Sequence, residues 1–461
     1  RRDFLKYLGF GITAATLAAS CDIPVKRAIP YVVKPDEIVP GVAAYYASSF
    51  VQGGDYCAVL VKTREGRPIK IEGNGLSKVT MGGTSARAQA SVLSLYDTSR
   101  LDGPYRVAEG KIDLPAKRNK LGPSWEEIDQ EIMGKLNAAS NIRIVANTIL
   151  SPTTKKVLED FKAKFPNAQV VMYDPVSSSA ILEANQESFG QAVIPAYHFD
   201  KAKVIVSFDA DFLGTWISPI EFASQYAKGR KIQDVKKPEM SRHIQVESQM
   251  SLTGSNADNR ILVKPSEQGA AIVALYNELA GLAGGNRVSG GPQLEGEKAA
   301  KIKKIAKELY DHRGQALVVS GSNNVGEQVL VNAINDMLGS YGATIDFTNA
   351  SLQRQGMDRD VQNLIKEMNA GGVNALFVMD GANPAYDIPN ADKFREGCAK
   401  VGLKVSFAGV PNETALLCDY ITPTHNFLES WGDAEPKRGH YSLLQPAIAP
   451  IFANLGRPGT R

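Results

Sequence analysis

Six short apolar runs, each bounded by turn residues, are the feature of this sequence that most constrains its fold. A strand buried on both faces of a parallel sheet has such a continuous apolar run, because helices cover both faces of that sheet. The runs are residues 142–149, 168–174, 202–212, 315–321, 375–384 and 403–409. Their alternation with helical stretches predicts doubly wound α/β domains.

Two of the helical stretches carry clear end signals. The first covers residues 151–166, with Ser151 as N-cap and Pro152 at the first helical position. The second covers residues 267–285 and ends in a glycine pair. The glycine-rich stretch 284–296 follows it and is the best candidate for a linker between two α/β units.

The chain is long enough for several domains. Its 461 residues exceed the roughly 250 to 300 at which a single hydrophobic core stops growing. We predict a leader and extended arm at 1–41, a small β unit at 42–122, α/β domains at 123–290 and 291–430, and an extended C-terminal crossing segment at 431–461. The sequence begins without Met and stops without a closing element, so we expect it to be part of a longer polypeptide.

The first residues, "RRDFLKYLGFGITAATLAASCD", have the form of a twin-arginine export signal. An amphipathic helix with two basic residues is the alternative. The uncharged run from Tyr7 to Cys21 has 15 residues, fewer than the roughly 20 that cross a bilayer as a helix. "LAASC" also resembles a lipoprotein box, so lipidation of Cys21 stays open. We expect export to the periplasmic side of a bacterial inner membrane.

Polar residues follow several predicted strands, where doubly wound sheets bind their ligands. They could line a crevice for a nucleotide-like group, or simply cap loops, as Asn, Asp and Ser often do. Capping is favoured because the sequence has neither GxGxxG nor GxxxxGK[ST]. The candidates for a vestigial crevice are Asp209, Ser320, Asn323, Asp380 and Asn383, with Asp211 and Asn324 beside them.

Residues 53–74, "GGDYCAVLVKTREGRPIKIEGN", predict a β-hairpin with Gly66 at its turn and one thiol, Cys57. Hairpins of this kind often frame iron-sulfur clusters, but such clusters usually need four thiolates or close substitutes. The remaining cysteines, Cys398 and Cys418, have no metal-site spacing and are expected to be small buried hydrophobic residues.

Five phrases occur in the order found in the molybdopterin oxidoreductases, which the chain therefore resembles. They are "YCAVLVKTREGRPIKIEGN", "TSARAQASVLSLYDTSRLDGPYR", "DGANPAYDIPN", "NETALLCDYITPTHNFLESWGD" and "YSLLQPAIAPIF". The resemblance implies a small N-terminal β unit plus two doubly wound α/β domains, with the family's final β-barrel domain absent from this portion. The chain departs from the family at the cluster cysteines: only Cys57 is retained, and Thr84 and Ser85 stand where a later one belongs.

A molybdopterin-oxidoreductase scaffold with a twin-arginine leader and without metal ligands resembles the B subunits of alternative complex III, a quinol-oxidising respiratory complex. The resemblance implies that this portion is a non-catalytic scaffold that binds no cofactor, and that iron-sulfur clusters lie in a C-terminal part absent here. Electrons from quinol in an integral membrane subunit would pass through those clusters to multihaem cytochrome c subunits. The net charge of +3 gives no field that would select nucleic acid.

Two other functions stay open: an active molybdopterin-dependent oxidoreductase, and an exported α/β binding protein. The stretch containing His425, Glu429, Trp431, Asp433 and His440 could be catalytic if His425 and Glu429 met on a helical turn, but the resemblance favours a structural crossing between domains. We further predict that bulky side chains partly close the crevice between the two α/β layers. The candidates are Phe208, Phe212, Trp216 and Tyr386, and the alternative is that they pack in ordinary cores.

Overall fold

The computed structural model describes residues 38–112, 123–232, 234–290 and 293–452. Contacts divide the chain into two units, residues 1–42 and residues 43–461. In the first unit the described residues form a turn closed by a hydrogen bond from Val42 N to Val39 O, 3.0 Å. The residues predicted to form an export signal, together with Cys21, lie outside the described residues, and everything below concerns the second unit.

The second unit begins with a three-stranded antiparallel sheet and one helix. These elements are β1 (Ala44–Gln52), β2 (Asp55–Arg64), β3 (Arg67–Gly73) and α1 (Ala86–Ser94). The predicted hairpin is confirmed as β2 and β3, which pair antiparallel. Gly66 lies at its turn with φ +72°, a left-handed conformation that glycine adopts without steric cost.

A seven-stranded sheet forms the larger α/β layer. Its spatial order is β5, β4, β16, β15, β14, β6, β7. These strands are β4 (Tyr105–Ala108), β5 (Lys111–Ile112), β6 (Ile142–Ala146), β7 (Ala168–Met172), β14 (Ala375–Val378), β15 (Leu403–Ser406) and β16 (Tyr420–Ile421). The last five are parallel, whereas β4 and β5 pair antiparallel at one end.

Helices cover both faces of this sheet. They are α2 (Trp125–Leu136), α3 (Pro152–Lys164), α10 (Asp358–Asn369), α11 (Pro384–Asp387) and α12 (Ala391–Cys398). The helix predicted from Ser151 is confirmed: the Ser151 hydroxyl accepts a hydrogen bond from Thr154 N at 2.9 Å, and Pro152 opens α3. Apolar residues of α10 and α12 pack on one face of the sheet and those of α2 on the other.

A four-stranded parallel sheet, in the order β11, β10, β9, β12, forms the second α/β layer. Its strands are β9 (Val204–Phe208), β10 (Arg242–Glu247), β11 (Asn259–Leu262) and β12 (Ala316–Ser320). The helices around it are α4 (Ser179–Phe189), α5 (Pro219–Arg230), α6 (Leu252–Ser255), α7 (Gln268–Ala283), α8 (Gly296–Asp311) and α9 (Val325–Met337). All six predicted apolar runs therefore contain parallel strands.

A fourth sheet is antiparallel, in the order β18, β17, β13, β8. Its strands are β8 (Ile194–Tyr197), β13 (Ile345–Ser351), β17 (Gly432–Lys437) and β18 (His440–Leu444). The segment predicted as an extended crossing thus contains a β-hairpin that pairs with β13.

The two α/β layers are nested in the chain, not consecutive as predicted. Strand β14 pairs with β6, Ala375 opposite Ile142, so the large sheet takes strands from both sides of the predicted boundary at residue 290. The glycine-rich stretch joins α7 and α8, and side chains of both helices, such as Leu275 and Ile305, pack in one core. Pairing between distant strands decided this organisation, which local composition could not reveal.

The side chains predicted to fill a crevice lie elsewhere in the fold. Phe208 lies in the core under α7, α8 and α9, and Phe212 and Trp216 lie in the core on the opposite face of the same sheet. Tyr386 is exposed. The prediction that these four side chains close a crevice is therefore wrong, because three are ordinary core residues and the fourth faces solvent. Within the described residues, no helix is long and apolar enough to cross a membrane.

Candidate functional site

Cys57 lies where the resemblance would place a cluster ligand, and its surroundings are apolar. It pairs with Phe50 across the β1–β2 ladder and is 2% exposed. Burial raises the pKa of the Cys57 thiol, and its Sγ donates to Ser85 Oγ at 3.9 Å. Ser85 in turn caps α1 by accepting a hydrogen bond from Ala88 N at 3.1 Å.

The fold brings together the two positions that the sequence singled out, Cys57 and Ser85. Thr84, beside them, accepts a hydrogen bond from Gln89 Nε2 at 2.7 Å. One neutral, buried thiol beside a helix cap does not fit a four-iron cluster, which needs several thiolates. Across the described ranges, His, Cys, Asp and Glu form no group of three or more that could hold a metal ion.

The strand ends of the four-stranded sheet carry Asp209, Ser320 and Asn323. Asp209 has φ +53°. Burial of its carboxyl raises its pKa, and the nearby negative charge of Glu247 raises it further. The Ser320 hydroxyl accepts from Ser322 N at 3.1 Å. Asn323 accepts from Ala180 N at 3.1 Å and donates to Asp358 at 2.8 Å, so it joins the starts of α4 and α10.

Their neighbours Asp211 and Asn324 also serve as loop and helix caps. Asp211 Oδ1 accepts hydrogen bonds from the amide and hydroxyl of Thr253, at 3.0 and 2.7 Å. Asn324 is the N-cap of α9 and accepts from Glu327 N at 3.2 Å. At this edge of the sheet, the Ser320, Asn323, Asp211 and Asn324 side chains therefore accept hydrogen bonds from nearby loop and helix groups.

Asp380 and Asn383 follow β14 at the edge of the seven-stranded sheet. Asp380 accepts from the Thr424 hydroxyl at 2.9 Å, and surrounding protein raises the pKa of its carboxyl. Asn383 accepts from the Thr414 hydroxyl at 2.8 Å and donates to Glu413 at 2.7 Å. These bonds fix the loop after β14 to two later loops.

Tyr173 extends this network to β7. Its hydroxyl accepts a hydrogen bond from Asn383 N at 2.9 Å and donates to Asp387 at 2.8 Å. Burial is the main cause that raises the pKa of Asp387 to about 6. The polar groups of this edge are thus engaged with one another, and as they stand they do not fit a dinucleotide, which needs donors free to meet its phosphates.

Residues 351–357, which connect β13 to α10, bridge several parts of the fold. Gly356 N donates to Asp174 Oδ2 at 3.0 Å, and Gln355 N donates to Thr148 Oγ1 at 2.7 Å. A Cβ at Gly356 would lie 2.4 Å from Asp174 N. Only glycine therefore allows this segment to approach the ends of β6 and β7 so closely.

The same segment contacts the β unit and the second layer. Arg354 donates to Asp55 Oδ1 at 2.8 Å, and Gln353 Nε2 donates to Ser218 Oγ, just before α5, at 2.9 Å. Gly54 lies against Gln353, where any Cβ would be 1.6 Å from its carbonyl oxygen. Residues 351–357 thus join the β unit and both α/β layers at one point.

The stretch from His425 to His440 makes contacts with several distant parts of the chain. Residues 427–429 form a turn instead of a helix, and Glu429 pairs with Arg100, at 2.5 and 3.2 Å. Asp433 accepts from Thr153 N at 3.1 Å at the start of α3. Trp431 and His440 border a surface depression. The structural interpretation of this stretch fits these contacts.

Sequence reasoning missed Arg100, Arg354 and Asp174. Their partners lie 329, 299 and 182 residues away along the chain. No local spacing pattern links such residues, although the glycines at 54 and 356 are compatible with the close backbone approach found there.

No protein-family model matches the sequence. Among curated proteins, the chain is similar to the menaquinone reductase, molybdopterin-binding-like subunit, of Nitratidesulfovibrio vulgaris. The two are 24% identical over 509 aligned residues, which cover 98% of this chain and 70% of that subunit.

Among solved structures, the fold is similar to acetylene hydratase from Pelobacter acetylenicus, with a TM-score of 0.66. The match covers 88% of this chain and 67% of that protein at 12% identity, so it concerns the fold alone. The chain has the molybdopterin-oxidoreductase-like α/β fold expected from its sequence.

Proposed function

We propose that this chain is the non-catalytic scaffold portion of a molybdopterin-oxidoreductase-like subunit in a membrane respiratory complex that exchanges electrons with quinones. One observation carries the proposal: 98% of the chain aligns with a subunit named for menaquinone reductase and described as molybdopterin-binding-like. The same chain offers a single buried, neutral thiol, Cys57, where cluster ligands are expected.

The local geometry supports a scaffold in preference to a catalyst. The polar residues at the strand ends are bonded to other parts of the chain, and residues 351–357 tie the β unit to both α/β layers. Such contacts hold a large surface in a fixed shape, which is what a subunit that positions its neighbours requires.

The finer assignment is the B subunit of alternative complex III. In that assignment, iron-sulfur clusters lie in a C-terminal part outside this sequence, and this portion binds no cofactor. The partners are a quinol-binding integral membrane subunit and multihaem cytochrome c subunits. The complex lies at the periplasmic side of the bacterial inner membrane, which the chain reaches through its twin-arginine signal.

Purification of the tagged chain from native membranes in mild detergent tests the proposal. We expect co-purification of c-type haem, seen by absorbance, and of quinol oxidation activity. Elemental analysis of the isolated 461-residue portion should show neither iron nor molybdenum in stoichiometric amount. Molybdenum and a pterin dinucleotide bound to this portion, or a chain that purifies alone, would contradict the scaffold function.

A further inference from the structure

Two thiols, Cys398 and Cys418, lie in the same core. They are 2% and 4% exposed, and both belong to the cluster that α10 and α12 form with one face of the seven-stranded sheet. Both are free in this structure. Cys57, the other cysteine among the described residues, lies in a different core. The fold has therefore brought two unbonded thiols, and not a single one, into one apolar environment.

A series of short contacts connects the backbone around the two cysteines. Cys398 is the last residue of α12, and its carbonyl accepts a hydrogen bond from Val401 N at 3.1 Å. Lys404 Nζ donates to Val401 O at 3.0 Å and pairs with Asp419 Oδ1 at 3.0 Å. Asp419 follows Cys418 in the chain, and its amide donates to Lys404 O at 2.9 Å. The end of α12 and the residues before β16 are thus held together beside the start of β15.

The two thiols also influence each other's ionisation. After burial, the charge of a Cys398 thiolate is the largest effect that raises the pKa of the Cys418 thiol. Lys404 lowers and Asp419 raises the pKa of both thiols. Because the interaction between charges weakens with distance, these shared effects place both sulfur atoms near one another and near the same ion pair.

We propose that Cys398 and Cys418 are a redox pair that a disulfide oxidant, such as oxidised glutathione or a thiol–disulfide oxidase, converts to an intramolecular disulfide. One thiolate attacks the S–S bond of the oxidant, which releases one thiol and leaves a mixed disulfide. The second thiolate attacks the mixed disulfide and releases the other thiol. Two electrons pass from the pair to the oxidant, and the two protons of the pair go to the released thiols.

Burial makes this pair slow to react in the closed fold. It raises the pKa of Cys398 to about 12, and the neutral thiol is not the nucleophile. Cys398 ends a helix, however, and Cys418 follows a 3₁₀ turn at Ala415–Leu417. Helix ends fray, so local opening gives an oxidant access without unfolding of the sheet.

A disulfide between these residues would tie an edge of the seven-stranded sheet to α12. In the reduced chain, Cys418 Sγ donates to Thr414 O at 3.4 Å, and the Thr414 hydroxyl donates to Asn383 at 2.8 Å. Oxidation would replace the weak S–H donor by a covalent link from this loop to Cys398. The pair does not depend on the proposed function, because the two thiols would react alike in a scaffold and in a catalytic subunit.

Equilibration of the full chain with oxidised and reduced glutathione tests the pair. Cys21→Ser in every sample restricts the thiols to positions 57, 398 and 418. The folded chain is incubated without urea and at urea concentrations below its unfolding transition, because local opening speeds access to buried thiols. We expect the intact mass to fall by two hydrogen atoms. Digestion without reductant should then yield the peptides of Cys398 and Cys418 joined.

The oxidation constant should be at least about tenfold larger in the folded chain than in denaturing urea, which corresponds to about 30 mV for this two-electron couple. The reason is that folding holds the two thiols in one core. An equal or smaller constant in the folded chain would overturn the inference.

Matched variants identify the partners, since Cys57 and Cys398 are each 2% exposed. Cys57→Ala should form the same link to the same extent as the chain that keeps Cys57. Cys398→Ala should keep free thiols at positions 57 and 418. If Cys398→Ala does not fold, the joined peptides of the Cys57→Ala variant still decide the question. A link that includes Cys57, glutathione held on one thiol without a link, or thiols that stay reduced at every urea concentration below unfolding would show that Cys398 and Cys418 are core residues alone.

Discussion

The ion pair between Arg100 and Glu429 should be among the most sensitive points of the fold. The two side chains are 6% and 0% exposed. Glu429 accepts two hydrogen bonds from Arg100, and one each from Asn426 N and Ile451 N at 3.0 Å. It therefore fixes residues 426–451 to the region after α1.

Arg100→Met removes the positive partner and leaves a carboxylate buried. Removal of one member of a buried pair costs about 3–5 kcal/mol, because the remaining charge stays out of water without its counterion. The double variant Arg100→Met, Glu429→Leu removes both charges, so its loss should be clearly smaller than that of Arg100→Met alone.

The chain offers a matched control in Arg106 and Glu131, an ion pair with the same chemistry whose side chains are 40% and 39% exposed. Arg106→Met should cost only about 0–1 kcal/mol, because water screens an exposed pair. Urea denaturation gives the free energy of unfolding of all three variants. Amide hydrogen exchange of residues 426–451 shows whether the loss of stability is located there. Equal losses for Arg100→Met and Arg106→Met, or a double variant as unstable as Arg100→Met, would refute the reasoning from burial.

Three further predictions concern Gly356, the carboxyl of Asp387 and residues 1–20. Gly356→Ala puts a Cβ 2.4 Å from Asp174 N and should lower the free energy of unfolding in urea by about 1–3 kcal/mol. Gly134→Ala is the control, because open space surrounds this residue of α2, and it should raise the free energy of unfolding by about 0.5–1 kcal/mol. Equal effects of the two substitutions would contradict the close approach at Gly356. The pKa of Asp387 is raised from 3.8 to about 6, so the stability that it contributes is present below about pH 4 and is lost as pH rises through about 6. The free energy of unfolding of Asp387→Asn, relative to that of the unchanged chain, should therefore rise over this pH range. A difference that does not change with pH would refute the pKa shift. Deletion of residues 1–20 from an otherwise exported chain should weaken membrane retention in fractionated cells, and unchanged retention would mean that contacts elsewhere suffice.

The sequence was sufficient to predict the strands and helix ends that depend on residues close together in the chain. A strand buried on both faces must be apolar along its whole length, so the six runs predicted six parallel strands that the structure confirms. Helix ends follow from single residues that satisfy nearby amides, as Ser151 and Pro152 do for α3. The single thiol at Cys57 and the order of the five phrases are likewise properties of the sequence itself, and they pointed to the fold.

Tertiary structure alone decided which distant segments meet. Pairing of β14 with β6 nests one α/β layer within the other, and residues 351–357 reach Asp55, Thr148 and Asp174 only because the whole chain has folded. The same holds for Phe208, Phe212 and Trp216, whose aromatic character is equally suited to a crevice or a core. Burial depends on what packs against a side chain, and local sequence does not contain that information.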